Sequence, residues 1–212
     1  MAKAVKVAQT SLLLLLAIGV VAAAPAAAAS PEWWVNSSEI SKTETIAETV
    51  TVKKAATLTL GSATASCTAL KMKSGSIAPH NTNKGTLTFE SCTIVGGSHC
   101  EVPNFNSEPL VFPLERSGSL KLNFQPASGS TLAVIVVKNN GGTCSAAGTY
   151  TMTSGPTIGM ECNYPDVETE KKEHRLVFNS ETGSEVFVNH TRAAFEGEFV
   201  VTLLSGNNWS AK

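Results

Sequence analysis

The sequence predicts an all-β protein, a single antiparallel β-sandwich of Ig-like or jelly-roll-like type with roughly ten strands and disulfide staples. Three observations carry this. Apolar residues recur with period two in short runs, turn signals separate the runs, and no segment shows the 3.6-residue spacing of an amphipathic helix.

Residues 1–29 read as a secretory signal peptide: Lys3 and Lys6, an apolar run from Leu12 to Val21, then small residues ending in Ala27-Ala28-Ala29 before Ser30. The apolar run is about half the ~20 residues that a spanning helix needs, so a retained anchor is the weaker alternative. No cysteine follows the small residues, which disfavours a lipoprotein. Residues 30–39 form a lead segment, and 40–212 are assigned to the β-sandwich domain.

The strands follow in order. Thr57-Leu-Thr-Leu60, Ala63–Ala69, Thr86-Leu-Thr-Phe89, Pro109–Leu114 and Leu120–Phe124 precede Thr131–Lys138, which is apolar on both parities and reads as a central strand covered on both faces. Gly148–Thr153, Ile158–Cys162, His174–Phe178, Glu185–Val188 and Ala194–Leu203 complete the set. Turn signals stand at Lys73-Ser-Gly-Ser76, Gly96-Gly97, Ser117-Gly118, Ser128-Gly129, Asn139–Gly142, Ser154-Gly-Pro156 and Thr182-Gly-Ser184. The expected core is Leu58, Leu60, Leu87, Phe89, Leu122, Phe124, Val134, Val136, Tyr150, Ile158, Met160, Phe195 and Phe199. The charged stretch Glu168–His174 reads as a solvated loop or the approach to a strand.

All five cysteines lie after residue 29, so an exported chain would form cystines. Cys92 and Cys100 flank a seven-residue loop with two glycines and are the pair that spacing favours. A second cystine is expected among Cys67, Cys144 and Cys162, whose pairing spacing does not decide, and the odd count leaves one thiol over. No spacing suits a zinc site, so no metal is expected.

Composition excludes several function classes. Lys plus Arg number 16 against 17 for Asp plus Glu, so there is no basic excess for nucleic acid. Loss of Lys3 and Lys6 with the leader takes the formal charge from −1 to −3, which is mild. Asp166 is the only aspartate, which removes aspartic dyads and Asp-x-Asp calcium loops. There is no Gly-x-Ser-x-Gly elbow and no phosphate-cradling glycine loop. His80, His99, His174 and His190 each sit in turn-like or polar settings and read as surface residues. Glu196 and Glu198 share one strand face at about 7 Å, the separation of a glycosidase pair. The opposite face, Phe195, Gly197, Phe199 and Val201, is the apolar one, which leaves both glutamates in solvent. Trp33, Trp34 and Trp209 are the candidate ligand-binding residues, since exposed indoles stack on sugars, although one of the adjacent pair Trp33 and Trp34 should pack inward. The triplets at Asn36, Asn189 and Asn208 fit N-glycosylation only in a glycosylating host.

Ala65-Ser-Cys-Thr-Ala-Leu70, Gly85-Thr-Leu-Thr-Phe-Glu-Ser-Cys92, Cys100, Glu108-Pro-Leu110 and Leu122-Asn-Phe-Gln-Pro-Ala-Ser-Gly129 resemble a large set of secreted, β-rich actinobacterial proteins of uncharacterised function. Pro31-Glu-Trp-Trp-Val-Asn36 and Ser205–Ser210 share that likeness, while Cys162 lies outside the pattern. The resemblance implies export and a β-rich fold, and it brings no active site. The expectation is therefore a secreted extracellular or cell-envelope protein, without a cofactor, in a non-catalytic binding or structural role. Cell-wall or extracellular polysaccharide is the expected partner, with no nucleic acid and no membrane after leader removal. A secreted hydrolase acting on glycans is the alternative.

Overall fold

The computed structural model describes residues 30–156, 158–179 and 185–212. The expected signal peptide and the turn signal at Thr182-Gly-Ser184 lie outside the described residues. Among the described residues nineteen strands, many of only two or three residues and so invisible to a periodicity reading that gives roughly ten, form three antiparallel sheets, and the only helical turn is Pro79–Asn81.

Eight strands close on themselves. Ala63–Ile77 pairs with Thr49–Leu60, and the ring continues through Phe195–Thr202, Glu173–Phe178, Met160–Asn163, Ser119–Pro126, Leu110–Val111 and Lys84–Ile94. Lys84–Ile94 then pairs back onto Ala63–Ile77. The all-β, antiparallel expectation holds, but the plain sandwich is corrected to a barrel core. Alternating residues face a core in either architecture, so a period-two pattern cannot tell them apart.

An eight-stranded barrel leaves an interior that side chains can fill. Here seven of the eight phenylalanines make a continuous chain of ring contacts. Phe105 stacks on Phe89 at 4.8 Å, Phe89 meets Phe195 at 6.1 Å, Phe195 meets Phe178 at 5.1 Å, and Phe178 touches both Phe199 and Phe124. Phe124 stacks on Phe112 at 4.8 Å. Leu58, Leu60, Leu87, Phe89, Leu122, Phe124, Met160, Phe195 and Phe199 are buried as expected.

The remaining strands build two smaller sheets. Trp33–Val35 lies between Trp209–Ala211 and Ser38–Glu39, so the lead segment is woven to the other end of the chain. The five-stranded sheet runs Thr191–Arg192, Val186–Val188, Gly148–Ser154, Thr131–Asn139 and Cys100–Glu101. Its Met152 faces Ala56, Leu58, Phe89, Phe105 and Phe195 across a small apolar cavity, which fixes this sheet against the barrel.

Four readings are corrected here. Thr131–Asn139 is not covered on both faces: Ile135 and Val137 are buried, while Val134 and Val136 point outward at 44% and 39% exposure. With apolar residues on both parities, the strand carries no signal for its inward face, and an irregularity between Thr131 and Ala133 sets the register. Tyr150 and Ile158 are half-buried rather than core. Lys73–Ser76 is a bulge within one long strand, with Ser74 at φ 51°, and not a turn.

The fourth concerns the cystines. Cys92 bonds Cys67 and Cys100 bonds Cys144, which leaves Cys162 as the buried thiol. The reversal through Gly96-Gly97 does form, yet it sets Cys92 opposite Val102 rather than Cys100, while on its other edge Cys92 stands opposite Cys67. The two bridges span 25 and 44 residues. In the chain-entropy account they contribute roughly 3.5 and 4 kcal/mol.

The barrel seam at Leu110–Val111 is the shortest in the ring, and asparagine side chains carry the pairing past it. Asn81 accepts from the Leu114 amide at 2.6 Å and donates to the Leu114 carbonyl, so it stands in for a strand neighbour. Asn83, 1% exposed, uses its whole hydrogen-bonding capacity. Its Oδ1 accepts from Trp33 Nε1 at 2.8 Å and from the Ala78 amide at 3.1 Å, and its Nδ2 donates to the Phe112 carbonyl and to Asn81 Oδ1.

Replacement of Asn83 by Ala orphans three buried partners outside the asparagine pair and should lower stability by about 3 kcal/mol or more, measured by urea denaturation; a loss under 1 kcal/mol would contradict this role. In the oxidised protein, iodoacetamide should label no thiol when native, one in denaturant and five after reduction, counted by intact mass. Labelling of Cys92 without reduction would overturn the cystine assignment.

Candidate functional site

The three tryptophans do not make an exposed platform. Trp33 and Trp209 are fully buried, their rings 5.6 Å apart, with Tyr164 edge-on to both. Trp33 donates to Asn83 and Trp209 Nε1 donates to the Lys172 carbonyl at 3.0 Å. Trp34, on the opposite parity, is half-buried beneath Lys212, whose ammonium sits 4.2 Å from the ring centroid. Residues 33 and 209 therefore serve as a clasp between the strands Trp33–Val35 and Trp209–Ala211. The clasp is closed by the Glu32 amide to the Lys212 carbonyl and the Lys212 amide to the Glu32 carbonyl.

His174 is the second correction, because it is buried under this clasp and not at the surface. Its ring packs 4.6 Å from that of Trp209; Nε2 lies 2.7 Å from the Trp209 carbonyl and Nδ1 lies 3.3 Å from Asp166 Oδ1. A carbonyl only accepts, so Nε2 carries the proton. Burial pulls the imidazole below its ordinary value, and the Trp209 carbonyl and Asp166 offset this only in part. Burial also pushes the Asp166 carboxyl up, but hydrogen bonds from Lys171 and the Arg175 amide outweigh it and leave it below the usual carboxylate value.

Asp166, His174 and the following Ser210 invite comparison with a nucleophile triad, and the geometry refuses it. Among the described residues the buried Ser210 hydroxyl has no hydrogen-bond partner, and the imidazole nitrogen a serine would need is committed to a backbone carbonyl. Glu196 and Glu198 share the barrel exterior, half-buried rather than in open solvent, opposite buried Phe195, Gly197, Phe199 and Val201. Each is held by a cation: Glu196 by Lys54 at 3.0 Å and Glu198 by Arg175 at 2.9 Å. The Cys162 thiol is pushed well above its ordinary value by burial, which keeps it protonated and unreactive.

The outer face of the five-stranded sheet is where unengaged chemistry collects. Register sets Val134 beside Thr151, Val136 beside Thr149, and Thr153 beside Phe187. Thr151, Thr153, Asn189 and His190 line a concavity of about 340 Å³ on that face. Asn189 is fixed by its backbone, whose amide donates to the Thr151 carbonyl, and by its side chain, which accepts from the Thr151 amide at 2.9 Å. Sequence reasoning missed this site, because Thr149-x-Thr151-x-Thr153 looks like any strand exterior until the turn at 189–190 is folded over it. His80, His99 and His190 are exposed in turns, as expected.

No group of three or more potential metal ligands stands together among the described residues. Compared with known proteins, the chain matches no family model, no curated relative and no solved structure.

Both titrating groups under the clasp are depressed in the folded state, so the folded state binds fewer protons than the unfolded chain. The contribution of His174 is complete above about pH 6.5 and is lost as pH falls from there through its folded value; that of Asp166 is lost further into acid. The melting temperature should therefore fall as pH drops below about 6.5, and His174→Gln should flatten the first part of that fall. A wild-type melting temperature constant between pH 7 and 5 would contradict the buried neutral imidazole.

Proposed function

We propose that this chain is an exported, non-catalytic protein of the extracellular space or cell envelope, which works by binding polysaccharide or as a rigid component of that layer. The observation that carries the reading is the pair of cystines, Cys67–Cys92 in the barrel wall and Cys100–Cys144 at the five-stranded sheet, since structural disulfides persist in oxidising compartments. The leader-like residues 1–29 agree with it. The filled barrel interior directs any binding to the outside of the molecule, and cation-held Glu196 and Glu198 lend nothing to the hydrolase alternative. Binding through an aromatic platform is withdrawn for Trp33 and Trp209, whose indoles are engaged inside the clasp.

Expression of the full chain in an exporting actinobacterial host tests this directly. The expected product is a protein beginning at Ser30 in the medium or wall fraction, lighter by four hydrogens than its reduced form, and retained on insoluble cell-wall polysaccharide or recovered as a stable wall component. Full-length chain held inside the cell with five free thiols would overturn the proposal, as would glycan turnover abolished by Glu196→Gln or Glu198→Gln.

A further inference from the structure

We infer that the concavity formed by Thr151, Thr153, Asn189 and His190 is a binding site for a neutral oligosaccharide segment, a proposal that rests on the polysaccharide reading above and gives it a place.

The first argument is backbone conformation. Val186–Val188 and Thr191–Arg192 are joined by the two-residue turn Asn189-His190, with φ 47° and 68°. Such a turn favours Asn-Gly, and a non-glycine at its second position is strained. The Asn36-Ser37 turn has the same form, with φ 50° and 63°, and there the residue has an internal use: Ser37 donates through its amide and its hydroxyl to Glu170 at 2.7 and 2.6 Å. His190 has no such partner among the described residues. Its side chain is exposed and borders the concavity, so the strained turn presents an imidazole there.

The second argument is the chemistry of the lining. The hydroxyls of Thr151 and Thr153 stand two residues apart on one strand face, about 7 Å, and form no hydrogen bond among the described residues. Threonine hydroxyls both donate and accept, as sugar hydroxyls do, and no carboxylate or ammonium lines the concavity. Val134 beside Thr151 and Phe187 beside Thr153 supply apolar flanks for the C–H face of a pyranose. The Asn189 hydrogen bond to the Thr151 amide holds the site before any ligand arrives.

The test is an amide chemical-shift titration of the exported protein with a neutral glucose tetramer, an N-acetylglucosamine tetramer and, as a charged control, a galacturonic acid tetramer. Shifts should concentrate in residues 149–153 and 187–192 with at least one neutral tetramer and be weaker with the charged one. Thr151→Val and Thr153→Val, which keep the β-branched shape, should each weaken binding at least tenfold with an unchanged melting temperature. His190→Gly should weaken binding similarly while raising the melting temperature, a combination that a purely structural histidine would not give. Shifts confined to another surface, or binding unchanged in all three variants, would overturn this site and leave the polysaccharide reading standing. A wild-type protein that neither binds a tetramer nor is retained on insoluble glycan would remove both.

Discussion

The buried carboxamide of Asn83 is the constraint on which the rest of the structure depends. A closed barrel has no edge to spare, yet this one must accommodate a short seam strand followed by Pro113, which has no amide to donate to a ladder. Asn83 and Asn81 supply the missing pairing from side chains, and the same carboxamide reaches out to Trp33. Barrel closure and the docking of the first strand thus meet in one fully satisfied polar group. Such a network is stabilising only when complete, since each buried partner left alone costs more than the bond it made.

From that point the architecture works outward to the chain ends. Trp33 is fixed by Asn83, Trp209 packs on Trp33, and the Trp209 carbonyl receives His174, so the N-terminal strand, the C-terminal strand and the turn holding Asp166 form one unit. The cystines act elsewhere. One ties adjacent barrel strands, and the other ties the loop after Asn139 to the strand at Cys100. The clasp secures the ends, the bridges secure the middle, and the aromatic chain fills the space between. The proposed oligosaccharide site lies on the outward face of a sheet whose buried side is already committed to the barrel.

How much was legible varied with the range of the interaction. The period-two runs identified the longer strands and the core face of Phe195–Phe199, because alternation is a local property of a half-buried strand, and they missed the strands of two or three residues, which are too short to alternate. Thr131–Lys138 failed for the same reason: apolar on both parities, it contained no local statement of which residues face in. The glycine pair at 96–97 correctly marked a reversal, but a turn fixes only approximate register, and two residues of register separate a Cys92–Cys100 pairing from the observed Cys92–Val102 opposition. The tryptophans were rightly singled out as unusual, and their role was misread, since indole serves equally as a sugar platform or as a buried donor.

The sequence by itself determined the all-β class, the longer strands, the reversal at Gly96-Gly97, the excess of one cysteine and the absence of the recognisable catalytic motifs, all of which depend on neighbours within a few positions. Only the tertiary structure decided that the sheet closes, that Cys67 meets Cys92 and Cys100 meets Cys144, that His174 is buried beneath the paired strands Trp33–Val35 and Trp209–Ala211, and that Thr151, Thr153 and His190 share one concavity. Those outcomes depend on which distant strands lie side by side and in what register, and register is set by the summed packing of the whole core rather than by any segment's own pattern.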